Sequence, residues 1–188
     1  MKLFLSTEHT GLEKETTLMN VGLVSEDGRS FFGGLVDANS EMSEENMEEG
    51  YYAFSPINQE EEVFESFYSA ECFGTKEQVR QAINQWLAQF ETVEWVGDCL
   101  HYDLVLLFDL IADHTLLLPS HMAPVAYDIN QGIADYYGWE LSEAFMSSRT
   151  LLCDYIGAKL PKDVQETIYR AHMVKEIYQF LKEEPNEY

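Results

Sequence analysis

The tetrapeptide Glu26-Asp27-Gly28-Arg29 separates two apolar runs, residues 18–25 and 30–36. Asp-Gly between such runs is the strongest short-range signal for a β-hairpin, because glycine accepts the positive φ that a tight primed turn needs. With residues 2–6 read as an earlier strand, the fold opens as an antiparallel meander of three strands.

Helical signals follow. Thr75 with Gln78 matches a capping box, and Val79, Ala82, Ile83, Trp86, Leu87 and Phe90 recur on one helical face. That helix covers a sheet. Residues 92–97 predict a buried strand, and 102–111, apolar almost all round, predict a buried helix. Residues 124–127 make a short last strand, after which a helix from Asp128 is closed by Gly138. Residues 141–156 predict a helix. Pro161 and Asp163 introduce a terminal helix to about Lys182, with Met173, Val174, Ile177, Phe180 and Leu181 on its apolar stripe and Pro185 after it.

The chain has 188 residues, 46% of them hydrophobic, which fits one core-bearing domain over 1–188 and excludes general disorder. Eleven Lys and Arg against 34 Asp and Glu give a net charge of -23, so contact with a phosphate backbone or an anionic lipid surface is repulsive. Twelve of the acids fall in residues 37–77 against the single Lys76. We read that stretch as an acidic insert or lid. It also holds Tyr51, Tyr52, Phe54, Phe64, Phe67 and Tyr68, which suits partial packing on the domain. Its glutamates form either a solvated face or an interaction surface. Three cysteines without paired spacing suit a reducing compartment, the start is too short for a secretory core, and no run reaches the roughly 18 apolar residues of a membrane span. The expected location is the cytoplasm, with no membrane partner.

Three antiparallel strands, a helix, a strand, a buried helix and a terminal helix follow the order of a ribonuclease H-like α/β domain: a mixed sheet, meander plus further strands, flanked by helices. Four segments carry a closer resemblance. Ser6-Thr7-Glu8 ends the first strand where the DEDD 3'-5' exonucleases have Asp-Thr-Glu. Residues 95–103, ending in Tyr102-Asp103, resemble their second motif, in which an Asp opens the central helix. Ala171-His172-Met173-Val174-Lys175-Glu176 aligns with the third motif on the last helix. Leu118-Pro119 is similar to a Leu-Pro segment of the small bacterial and phage exoribonuclease-like proteins.

The resemblance implies two Mg²⁺ or Mn²⁺ ions about 4 Å apart among carboxylates, one ion activating water and the other stabilising the leaving oxygen. It assigns Glu8, Asp103 and Glu176 as metal ligands and catalytic groups. His172 is a further candidate base, one turn before Glu176 on the same helical face. Two positions depart from the family pattern. Ser6 stands where the first Asp bridges both ions, and a neutral hydroxyl does not replace a bridging anion; Ala171 takes the place of the general-base His.

Two functional readings result. One is a degenerate DEDD exonuclease-like protein, catalytically impaired, that acts by binding a protein partner, with the acidic insert gripping a basic or nucleic-acid-binding protein. The other is an active Mg- or Mn-dependent 3'-5' exonuclease on RNA or single-stranded DNA. Individually the residues also have plain roles: Asp103 as a helix N-terminal residue, Glu8 as a solvated loop side chain, Glu176 as an exposed helical one. Other chemistry lacks its pattern. Gly33-Gly34 has no following helix and Lys for a phosphate loop, Ser147-Ser148-Arg149 has no elbow glycines, and the Cys and His residues lack zinc spacing.

Overall fold

In a computed structural model of the chain, residues 1–11, 16–36, 69–112 and 122–183 are described. Residues 37–68, the bulk of the acidic insert, lie outside them, as do Leu118-Pro119 and Pro185. The strands are β1 (Lys2–His9), β2 (Leu18–Ser25), β3 (Ser30–Leu35), β4 (Ser69–Gly74), β5 (Val93–Gly97) and β6 (Met122–Asp128). The helices are α1 (Lys76–Leu87), α2 (Leu100–Ile111), α3 (Ile129–Tyr137), α4 (Leu141–Met146), α5 (Arg149–Ile156) and α6 (Glu166–Glu183).

The strands form one mixed sheet in the order β4-β3-β2-β1-β5-β6. The meander β1-β2-β3 is antiparallel, and β4, β5 and β6 add parallel to their neighbours. This is the expected ribonuclease-like sheet. β4 was not anticipated: it takes residues 69–74 out of the acidic stretch and into the sheet, where Phe31 pairs with Ala70 and Gly33 with Cys72. Its place at the end of the acidic stretch, its one glutamate, Glu71, and its lack of alternation obscured it.

The hairpin between β2 and β3 closes with Ser25 N–H donating to the Arg29 carbonyl at 2.8 Å, and Gly28 sits at φ 92°. The loop therefore has three residues, Glu26 to Gly28, in place of the two-residue primed turn, and glycine takes the positive φ at its end. Arg29 grips the Asp27 carboxylate from Nη2 at 2.7 Å and stacks 4.3 Å from the Phe90 ring. Its guanidinium, with the Ser25 hydroxyl, holds Asp27 down at about 2.

Strand side chains alternate between two faces and so build two cores. Leu3, Leu5, Val21, Leu23, Phe31 and Trp95 pack against α1 and α2, while Phe4, Val24, Phe32 and Val96 pack against α3 to α6. The capping box at Thr75 is formed, with Thr75 N–H donating to Gln78 Oε1 at 2.9 Å. Gly138 caps α3 in the left-handed conformation. α2 differs from its reading as buried all round: Val105 and His101 face outward and only Leu100, Asp103, Leu107, Leu110 and Ile111 are buried. The helix over 141–156 is broken into α4 and α5 at Ser147, whose ψ of 145° is extended. α6 crosses β2 at Gly22, where an added Cβ would lie 2.5 Å from the Thr167 carbonyl carbon. Among the described residues, no helix is long and apolar enough to cross a membrane.

Candidate functional site

The parallel strands β1 and β5 end side by side, Leu5 opposite Gly97, and the chain then turns through Asp98 and Cys99 into α2. That turn, the end of β1 and the middle of α6 enclose a cleft of about 320 Å³. β1 contributes Ser6, Thr7 and His9, the β5–α2 turn Asp98 and Cys99, and α2 Asp103. Arg149 comes from α5, and Arg170, Met173 and Val174 from α6.

Asp103 is 4% exposed, and its Oδ1 accepts the Thr7 hydroxyl at 2.6 Å. Burial raises its carboxyl to about 7, the neighbouring Asp98 charge adds to the rise, and hydrogen bonds from Thr7 and Cys99 oppose it. Near neutral pH the group therefore shares its time between acid and carboxylate. Burial, then the Asp103 and Asp98 charges, lift Cys99 to about 11, which leaves it a thiol and no nucleophile. His9 stacks on Tyr102 with ring centroids 5.5 Å apart.

The remaining predicted site residues lie elsewhere. Glu8 is half-buried and accepts Asn20 Nδ2 at 2.6 Å, which binds it to β2, and it is not on the cleft lining. His172 and Glu176, both half-buried on α6, are also off that lining. Burial, with help from Lys175, lowers His172 to about 4, so it is neutral at physiological pH. Glu176 faces α5, where its charge reinforces burial in raising Cys153 to about 11. Along β1, Ser6 and Glu8 share one face, while Thr7 takes the other and meets Asp103. Among the described residues, no three His, Cys, Asp or Glu side chains form a group that could hold a metal ion. The cleft lining carries two carboxyls, Asp103 held by Thr7 and Asp98 clasped by Arg149, beside the Ser6 hydroxyl, His9 and Arg170, a donor set short of the four carboxylates that two divalent ions need.

One element of the site was not found by sequence reasoning. Arg149 clasps Asp98 with Nε and Nη2, at 2.8 and 2.7 Å, and Nη1 donates to the Ala144 and Ser147 carbonyls. Asn130, 2% exposed, joins in by donating to the Asp98 carbonyl at 2.6 Å and to Asp128 Oδ1 at 2.8 Å, and its own Oδ1 accepts from Arg149. This knot ties β5, β6, α3 and α5 together at the cleft end of the sheet. Its one sequence signal was a pair of aspartates, Asp98 and Asp128, each directly following a predicted strand.

With this geometry, the fold is a mixed six-stranded α/β sheet flanked by helices, of the ribonuclease H-like fold class. It is similar to a chain in the structure of the yeast NOT1 MIF4G domain co-crystallised with CAF1, with a TM-score of 0.55 and 14% identity over 97% of this chain and 79% of that one. It is also similar to the ribonuclease domain of the yeast Pop2 protein, with a TM-score of 0.53 and 15% identity over 96% of this chain and 75% of that one. No protein-family model matches the chain, and no curated protein matches it in sequence.

Proposed function

We propose that this protein is a degenerate exonuclease of the DEDD type, catalytically impaired, which acts by binding a protein partner. The observation that carries the reading is the Thr7–Asp103 hydrogen bond. The second-motif carboxyl is held by a hydroxyl in a buried site whose first-motif position is Ser6, while Glu8 accepts from Asn20 and neither Glu8 nor Glu176 lies on the cleft lining. Two-ion chemistry needs anions projected into one cleft, and the absence of Glu8 and Glu176 from this lining supports the impaired reading. Among the described residues the sheet nonetheless keeps a packed core on each face, which supports a retained scaffold.

Binding suits the charge. At -23, a partner that is basic, or that itself binds nucleic acid, is favoured over nucleic acid alone. One neighbour in fold was crystallised as a two-protein assembly. The three cysteines are free thiols, in keeping with a reducing compartment such as the cytoplasm. The test is 3'-end trimming of single-stranded RNA and DNA with Mg²⁺ or Mn²⁺ present. The expected result is no trimming above the level of the Asp103→Ala variant. Trimming that Asp103→Ala abolishes would instead establish the active metal-dependent exonuclease.

A further inference from the structure

Six of the ten large apolar side chains exposed among the described residues fall within residues 139–155. They are Trp139, Leu141, Phe145, Met146, Leu151 and Tyr155, and exposure reaches 80% at Met146 and 74% at Tyr155. α4 and α5 each send one small side chain, Ala144 and Cys153, into the core shared with α6, and leave these larger ones outside. Just before α4, Trp139 stacks on Tyr137 at the end of α3 with ring centroids 4.7 Å apart. Scattered exposed apolar residues are ordinary, but a concentration of this kind marks a contact surface.

Charge around the face selects its occupant. Glu140, Glu143 and Asp154 are exposed among the apolar residues. The one cation in the stretch, Arg149, is turned inward with Nε, Nη1 and Nη2 all donating to the Asp98–Asn130 knot and to α4 carbonyls. Lys159 and Lys162 come only after Gly157 has ended α5. We propose that this face of α4 and α5 docks an apolar protein segment flanked by lysine or arginine. A nucleic acid would meet three carboxylates and no available guanidinium, and a second copy would bring another net charge of -23. The inference rests on the binding reading above and names its surface.

The test is calorimetric titration of the full chain with three helical peptides, each about 18 residues long, enough for five turns. The first has Leu and Lys at amphipathic spacing, the second Glu in place of Lys, the third Ser in place of Leu. Saturable binding of the first, at least about tenfold tighter than either control and weakened about tenfold by Leu141→Ser/Phe145→Ser/Leu151→Ser, is the expected result. Phe145→Ser alone, one exposed change, gives a smaller loss in the same direction. Equal binding of the Ser peptide or of the triple variant would reduce the effect to general charge attraction and overturn the proposal, as would no binding of the first peptide. Self-association in sedimentation that the triple variant abolishes would assign the face to a second copy and overturn it too. Failure here is separable from failure of the binding reading, because that reading falls by metal-dependent trimming at Asp103.

Discussion

Thr7 on β1 donates its hydroxyl to Asp103 on α2 at 2.6 Å, joining residues 96 apart in sequence across the floor of the cleft. The bond does two things. It satisfies one oxygen of a carboxyl that is 4% exposed, and it fixes that carboxyl to the end of β1. Burial still wins over this donor, because the carboxyl is lifted to about 7 from an ordinary 3.8.

That shift has a direction in stability. Folded Asp103 keeps its proton up to about pH 7, whereas unfolded Asp103 loses it near pH 4, so the folded state binds the extra proton between them and stability falls as pH rises through this window. Asp103→Asn removes the penalty while keeping an acceptor for Thr7. Urea unfolding at pH 4.5 and pH 8 is expected to show the variant gaining on the natural protein by roughly 3–4 kcal/mol across that range. Parallel behaviour of the two proteins would mean that Asp103 is solvated and ordinary.

Thr7→Val tests the same bond from the other side. It keeps the volume and removes the donor, so the buried carboxyl loses its hydroxyl partner at a cost of about 1–3 kcal/mol. The loss is expected to be larger at pH 8 than at pH 5, where a protonated Asp103 needs the donor less. Thermal unfolding at the two pH values reads the difference.

Arg149→Met leaves Asp98 and Asn130 without the guanidinium that both contact. Arg149 is 11% exposed and Asp98 31%, so solvent recovers part of the cost, and a loss of about 2–4 kcal/mol is expected. Denaturant unfolding gives the number. A loss below about 0.5 kcal/mol would place the knot among ordinary surface pairs.

Gly22→Ala probes how α6 sits on the sheet. The new methyl would meet backbone atoms of Thr167 and Ile168 at 2.5 to 2.8 Å, and backbone cannot swing aside as a side chain does. The expected destabilisation is about 1–3 kcal/mol, with α6 displaced over β2. A neutral substitution would show that α6 rides freely there.

Most of the scaffold was legible because local signals carried it. Asp27-Gly28, the Thr75–Gln78 box and the Asp128 and Gly138 caps each act within a few residues, and the structure keeps all of them. β4 was hidden because a parallel edge strand owes its place to a distant partner, β3, and needs no alternation of its own. The break at Ser147 was hidden because 141–156 holds no glycine or proline; Arg149 makes it by holding the Ala144 and Ser147 carbonyls from the next helix. At the site, spacing along the chain placed Glu8, Asp103, His172 and Glu176 on the expected elements. It did not fix which way each side chain turns, and that is set by Asn20, Thr7 and α5, all remote in sequence.

Titration of Mn²⁺ into the full chain, with Glu8→Ala and Asp103→Ala alongside, tests the central claim most directly, because it needs no knowledge of substrate or partner. The account expects no saturable binding, or weak binding indifferent to both substitutions, since Glu8 and Glu176 are off the lining of the Thr7–Asp103 cleft and Asp98 is taken by Arg149. Saturable binding abolished by each substitution would contradict it and restore a working metal centre.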